Sequence, residues 1–84
     1  MPSYCKQLNY PDDSDQTLYM DVAPEANGEL NIVVYKDAKC TQRSGMAIQD
    51  YIRMFYQITG DEEKGETIAN ASTKAIKRWN KHMK

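Results

Sequence analysis

The fold is decided by residues 17–36, which read TLYMDVAPEANGELNIVVYK. From Leu18 to Val22 apolar residues alternate with polar ones, which is the period-two pattern of a half-buried strand. The same alternation returns after Asn27-Gly28, a dipeptide that supplies the positive φ values required by a tight hairpin turn. The stretch therefore predicts an antiparallel β-hairpin over residues 16–36.

Helical periodicity follows the hairpin. Apolar residues recur at i, i+3 and i+4 spacing in two segments, which predicts one helix over 44–58, with Ser44 as its N-cap, and a second helix over 61–83. Gly60 is typical of the residue that follows a helix C-terminus. Thr59 begins a Thr-x-x-Glu pattern, and this favours a capping box at the start of the second helix.

These elements predict an α+β fold in a single domain of 84 residues. A two-stranded hairpin alone is marginally stable, so we expect a small antiparallel β-sheet packed against an αα-hairpin. Residues 3–8 are compatible with a third, N-terminal edge strand within a loosely ordered lead-in of residues 1–15. The predicted order is therefore (β)ββαα.

The charges are distributed unevenly along the chain. The formal net charge is −1 and the isoelectric point is near 5.7, lower than expected for a simple basic nucleic-acid binder. Residues 1–66 contain all 12 acidic residues and six basic ones, whereas residues 67–84 contain five basic residues and no acidic one. Such an asymmetry is typical of an interaction surface.

Groups that carry catalysis are scarce. His82 is the only histidine, and it lies in a segment that is expected to fray, whereas a general base requires rigid positioning. The acidic clusters at residues 12–15 and 61–63 lack the ligand spacing of a calcium loop, and no glycine-rich phosphate-binding loop is present. We therefore expect no enzymatic activity, no bound metal and no cofactor.

The two cysteines bear on the cellular compartment. Cys5 and Cys40 form no CxxC motif, and we expect both to be reduced in a cytosolic protein, with a disulfide between them as the alternative. The first residues lack the apolar core of a signal peptide. The longest apolar run, residues 32–35, is too short to cross a membrane. The sequence thus predicts a cytoplasmic protein without membrane contact.

Tyrosine on the outer face of the predicted sheet suggests a protein interface. Tyr19, Asn31 and Tyr35 point away from the helices if these cover the opposite face. Tyrosine combines rigid apolar area with a polar group, as protein interfaces favour, although cross-strand pairing alone also explains its presence. We hypothesise a non-enzymatic interaction module, a small inhibitor or adaptor that occludes a larger protein or nucleoprotein partner. It is similar in style to small inhibitors that phages and mobile elements encode.

The alternative function is RNA or DNA binding through the second helix. Its basic residues recur at i, i+3, i+4 and i+7, and so form one face: Lys74, Lys77, Arg78, Lys81 and Lys84. Such a face neutralises phosphates, but a solvated helix end matched to the helix dipole has the same composition. Trp79 falls on the apolar stripe with Ile76, and we expect it in the core. A homodimer that completes a thin core is compatible with either function.

Overall fold

The structure is a computed structural model that describes residues 4–8 and 17–82. Four strands precede two helices: β1 (Lys6–Leu8), β2 (Leu18–Pro24), β3 (Leu30–Tyr35), β4 (Arg43–Ala47), α1 (Ile48–Ile58) and α2 (Glu62–His82). The strands form one antiparallel sheet in the order β1-β2-β3-β4. The predicted α+β class is confirmed. Of the lead-in expected over residues 1–15, the structure describes residues 4–8.

The register of the predicted β2–β3 hairpin brings its apolar residues opposite one another. Met20 pairs with Val34, and Val22 pairs with Ile32, so that the alternating apolar residues of both strands share the inner face of the sheet. Gly28 lies in the turn with φ of 83°. This left-handed conformation is accessible to glycine without a steric penalty.

The N-terminal edge strand expected within residues 3–8 is present as β1, and a disulfide holds it to the sheet. β1 pairs with β2 at the edge of the sheet. Cys5, directly before β1, is bonded to Cys40 in the β3–β4 connection. The expectation of two reduced cysteines is therefore wrong. Residues 35 positions apart in sequence are brought to a Cα–Cα distance of 5.8 Å by the antiparallel sheet, which is within the range that a disulfide spans.

Asp37 organises the connection that carries Cys40. Its Oδ1 accepts hydrogen bonds from the backbone N–H groups of Thr41 and Gln42, both at 2.9 Å. Its Oδ2 accepts one from the Thr41 hydroxyl. The Thr41 hydroxyl, and after it the Gln42 N–H, lower the pKa of Asp37, because they stabilise the charged carboxylate.

β4 occupies the start of the segment that was predicted to be a helix over 44–58. The helix begins only at Ile48, and Ser44 is not its N-cap, since its Oγ accepts a hydrogen bond from Met46 N–H at 3.1 Å. Gly45 has φ of 82°, which is incompatible with a right-handed helix. Pairing with the free edge of β3 instead satisfies the backbone of this segment.

α1 and α2 form the predicted helical hairpin, but the cap of α2 differs. Gly60 follows α1 with φ of 86°, and Asp61 N–H donates to Tyr56 O at 2.7 Å. Asp61 Oδ1 then accepts a hydrogen bond from Lys64 N–H at 3.3 Å. Asp61 is therefore the N-terminal cap of α2, and the capping box predicted at Thr59 is not formed.

The core lies between the inner face of the sheet and the helices. It is centred on four buried side chains: Leu18, Val34, Ile48 and Tyr51. On α2 the buried positions are Gly65 and Ala69. A Cβ atom on Gly65 would lie 2.7 Å from the Cβ atom of Tyr56, so the two helices approach each other as closely as a glycine permits.

The C-terminal half of α2 lies against β3. The Asn80 side chain accepts a hydrogen bond from Leu30 N–H at 2.8 Å and donates one to Leu30 O at 3.0 Å, while Ile76 packs on the core. Trp79, which we expected in the core, is 42% exposed. The reason is that the inward line of α2 runs through Ala69, Ile76 and Asn80, and this leaves Trp79 on the flank of the helix.

Candidate functional site

The outer face of the sheet carries the predicted interface residues. Tyr19 is half-buried and pairs directly with Tyr35. Tyr35, however, is only 7% exposed. Its cross-strand neighbours are Tyr19 on β2 and Arg43 on β4, which flank it on both sides. The expectation that Tyr35 is an accessible contact group is therefore wrong.

Asn31, the third predicted interface residue, belongs to a local polar network. Its Nδ2 donates to Glu25 Oε1 at 3.3 Å, and its Oδ1 accepts a hydrogen bond from Ile32 N–H at 2.9 Å. Glu25 also forms an ion pair with Arg43 at 3.4 Å. A partner that contacts Asn31 has to compete with these interactions.

The basic residues of α2 lie together on its solvent face. We call this set the basic face: Lys74, Lys77, Arg78 and Lys81. All four are exposed, and none of them forms an ion pair within residues 4–8 and 17–82. Lys84, predicted to belong to the same face, lies outside the described residues. The basic face therefore presents positive charge to solvent.

The acidic first half of α2 is partly neutralised by α1. Arg53 Nε lies 3.0 Å from Glu66 Oε2, and Arg53 Nη1 lies 3.3 Å from Asp50 Oδ1. The hydrogen bond and the negative charge of Glu66 raise the pKa of Arg53. The two ends of α2 thus differ in electrostatic character, since, among the described residues, the ion pair of α2 lies in its first half.

A third surface, which the sequence analysis missed, is an open groove between the sheet and the helices. α1 contacts β3 and β4, and α2 contacts β3 and α1. In the part of the chain that the structure describes, no Cα atom of either helix comes within 8 Å of a Cα atom of β1 or β2. Only side chains bridge this gap, and a groove of about 320 Å³ remains. We call it the β1–α2 groove, and its lining residues are Lys6, Gln7, Leu8, Met20, Tyr51, Ile52, Phe55, Tyr56 and Ile68.

The lining of the β1–α2 groove is mainly apolar. Leu8 and Met20 contribute from the sheet, and Phe55 and Ile68 contribute from the helices; all four are half-buried. Phe55 and Tyr56 also pack edge to face, with ring centres 5.2 Å apart. Apolar groups that remain partly in contact with water are the groups that gain most from being covered by a partner.

Positive charge lies at the rim of the groove. Lys6 is exposed and belongs to the lining on the β1 side. On the helical side Lys64 Nζ lies 5.6 Å from the centre of the Tyr56 ring, at the distance of a cation–π contact. The β1–α2 groove therefore combines an apolar floor with ammonium groups on opposite sides.

The sequence contains an indirect sign of this groove. Period-two and period-3.6 patterns place Met20 and Ile68 on inward faces, but they do not say which strands the helices cover. The sign is Gly45: a glycine directly after Ser44 weakens the prediction of a helix start there, and this leaves the segment free to pair as one more strand. With four strands, two helices that pack on β3 and β4 leave β1 and β2 partly uncovered.

Side chains that could bind a metal ion are dispersed over the described residues. Among residues 4–8 and 17–82 no three His, Cys, Asp or Glu side chains gather in a way suited to a metal ion. His82 is exposed in the last turn of α2. Neither described helix is long and apolar enough to span a bilayer.

The fold and these surfaces define a small α+β domain with one disulfide and an inner sheet face that the helices cover only in part at β1 and β2. In comparisons with known proteins, no family model matches the chain, and no curated protein or solved structure is significantly similar to it. Functional inference therefore depends on the surfaces themselves.

Proposed function

We propose that the protein is a non-enzymatic interaction module, a small inhibitor or adaptor that binds and occludes part of a larger protein. The observation that carries this proposal is the β1–α2 groove, where apolar side chains from four elements converge on a surface that the fold leaves open. Burial of apolar surface contributes about 25 cal/mol per Å². In a complex, the residues that contribute most of the binding energy insert into pockets that become well packed and lose their water.

The groove replaces the outer sheet face as the main proposed contact surface. Tyr19 and Asn31 lie on the opposite face of the sheet from Met20, as their alternation along the strands requires. A partner reaches both faces only if it wraps around the edge strand β1. Tyr19 and Asn31 are therefore proposed as secondary contacts at most, and the groove as the primary one.

The disulfide supports a location other than the cytoplasmic one expected from the sequence. Disulfides persist in oxidising compartments and are rare where glutathione and thioredoxin keep thiols reduced. Because Cys5 and Cys40 are bonded and staple the edge strand to the sheet, we place the module in an oxidising compartment. Its partner is then a protein exposed to the same compartment.

A second candidate function is RNA or DNA binding through the basic face. The observation in its favour is that four exposed cations, unpaired within the described residues, lie on one side of α2. Each phosphate contact releases counterions, so the affinity would fall steeply with salt. The oxidising compartment favours the protein-binding function over this one.

The proposal is tested by affinity capture with three baits made from the full, oxidised chain. The groove bait carries Ile68→Glu, which puts a charge into the lining. Its matched control carries Ile58→Glu, since Ile58 is 44% exposed on α1 and does not line the groove. The third bait combines Lys74→Glu, Lys77→Glu and Lys81→Glu, and keeps Arg78. Circular dichroism first establishes that each bait is folded.

We expect the wild type, the Ile58→Glu bait and the basic-face bait to retain the same partner, and the Ile68→Glu bait to lose it. Retention by Ile68→Glu at full strength would refute the groove as the contact surface. Fluorescence anisotropy with labelled single-stranded RNA and duplex DNA over a salt series tests the second function. Steeply salt-dependent binding that the basic-face variant abolishes would favour nucleic-acid binding, and no binding at low salt would exclude it.

A further inference from the structure

The apolar surface of the β1–α2 groove continues along both of its walls. On β2, Val22 is two residues beyond Met20 on the same face of the strand, and it is 47% exposed. On α2, Trp79 follows Ile68 by 11 residues, or about three helical turns, so the two side chains lie on the same side of the helix. Trp79 is 42% exposed. An apolar strip of roughly 16 Å therefore runs along α2, facing the inner side of β1 and β2.

Cations border this strip on both sides. Lys6 lies on the β1 side. On α2, Lys64 is one turn before Ile68 and Arg78 is adjacent to Trp79, and both are exposed. Two exposed acidic residues lie nearby: Glu66 points to the other flank of α2, where it is paired with Arg53, and Asp61 precedes the first turn of α2, where its carboxylate accepts a hydrogen bond from Lys64 N–H. The strip is therefore an apolar surface framed by positive charge.

The dimensions of the strip favour a helix as its occupant. Helices pack about 8–10 Å from their neighbours. In the described residues, the helix backbones approach β3 and β4 while only side chains reach β2, so that β1 and β2 are partly uncovered. One further helix, laid beside α2, would complete the helical layer over the sheet. An added strand is less suitable, because β1 has only three residues and carries Lys6. Short length and lysine are features that protect sheet edges from pairing.

We propose that the strip binds an acidic amphipathic helix of the partner protein. This inference rests on the proposed function and names the class of partner. The apolar face of such a helix contacts Met20, Val22, Ile68 and Trp79. Its flanking carboxylates meet Lys6 and the cations of α2, which steer its approach and fix its orientation.

The test uses two tryptophan-free, fluorescein-labelled synthetic peptides. Both have about four helical turns and apolar residues at i, i+3, i+4 and i+7; one carries glutamate at the remaining positions and the other carries lysine. They are titrated into the full, oxidised protein. Trp79 is the only tryptophan of the chain, so a blue shift of its emission reports directly that the strip has become covered.

We expect the acidic peptide to bind with a blue shift of Trp79 emission and the basic peptide to bind at least about tenfold more weakly. Val22→Glu, a substitution at an exposed position, and Ile68→Glu are each expected to weaken binding of the acidic peptide by about tenfold or more. Ile58→Glu leaves the affinity unchanged. Added salt lowers the affinity, because it screens the carboxylate–ammonium attraction.

Several outcomes would overturn the inference: no binding of the acidic peptide, equal binding of both peptides, or binding without a Trp79 shift. The same titration with RNA or DNA adds a further one. If nucleic acid shifts Trp79 and displaces the peptide, the occupant is a polynucleotide. If the acidic peptide does not bind while capture of the natural partner still depends on Ile68, the groove is the contact surface but its occupant is not an acidic amphipathic helix. If neither depends on Ile68, the proposed function fails as well.

Discussion

The close approach of α1 and α2 makes Gly65 a sensitive position. A Cβ atom added there would lie 2.7 Å from Tyr56 Cβ, 3.4 Å from Tyr56 Cγ and 3.5 Å from Ile52 O. Carbon atoms in ordinary contact are separated by about 3.5–4.0 Å. In Gly65→Ala the helices must therefore move apart by roughly 1 Å, since Tyr56 Cβ is fixed to the backbone and cannot rotate away.

Two opposing terms set the expected magnitude of the Gly65→Ala effect. Alanine stabilises a helix interior by about 1 kcal/mol relative to glycine. Overpacking costs about 1–3 kcal/mol, and a contact this short belongs in the upper part of that range. We expect Gly65→Ala to lower the free energy of unfolding by about 1–2 kcal/mol. For a domain of this size the melting temperature falls by about 4–8 °C per kcal/mol.

The measurement is urea unfolding followed by far-ultraviolet circular dichroism, with linear extrapolation of the free energy of unfolding. Asn70→Ala is the matched control, because Asn70 is exposed on the same helix and alanine there gains helix propensity without a contact. The control is expected to match or slightly exceed the wild type. A Gly65→Ala protein as stable as that control would refute the close helix packing described here.

Three further predictions concern stability. Asn80→Ala removes both hydrogen bonds to the β3 backbone and is expected to cost about 1–3 kcal/mol in urea unfolding; an unchanged midpoint would contradict it. Replacing Cys5 and Cys40 by serine removes the cross-link between residues 35 positions apart and is expected to lower the free energy of unfolding by about 3–4 kcal/mol. Chemical reduction of the wild type is expected to have the same effect. Equal stability of the oxidised and reduced forms would argue against a structural role of the disulfide. The pKa of Asp37 in the folded protein is lowered, chiefly by the Thr41 hydroxyl. At pH values above the unfolded-state pKa of about 3.8, the ionised carboxylate therefore stabilises the fold. This contribution is lost as the pH falls through the folded-state pKa. The stability difference between wild type and Asp37→Asn should thus narrow in acid; a gap independent of pH would contradict this.

The local patterns that predicted the fold correctly are those with one strong physical cause. The β2–β3 hairpin follows from alternation and from Gly28, whose positive φ has few alternatives. Gly60 ends α1 for the same reason. The third strand was visible in residues 3–8, although three residues are too few to decide between strand and loop without the neighbouring β2.

The patterns that misled are those in which tertiary contacts override local preference. Ser44 is a good N-cap in isolation, but its segment gains more by pairing with the edge of β3. Arg43 of that strand lies beside Tyr35, and the buried Tyr35 side chain is not an accessible contact residue. The disulfide was only the alternative to two reduced cysteines, because Cys5 and Cys40 become neighbours only after β1 and β3 have joined the same sheet.

The candidate site was predictable only in part. The basic face follows directly from helical periodicity, and its four described members are exposed as expected. The β1–α2 groove depends on where the helices lie over the sheet, and this is set by long-range packing around Tyr51 and Val34. The exposure of Trp79 could not be predicted for the same reason, because a small rotation of α2 about its axis decides whether this residue lies in the core or is exposed.

Affinity capture with the Ile68→Glu and Ile58→Glu proteins decides whether the β1–α2 groove is the binding surface. Both substitutions add one negative charge to an isoleucine of the helical hairpin, but only Ile68 lines the β1–α2 groove. If the groove binds the partner, the Ile58→Glu protein retains the partner as the wild type does, and the folded Ile68→Glu protein loses it. Equal retention by both proteins would contradict the assignment of the groove as the binding surface.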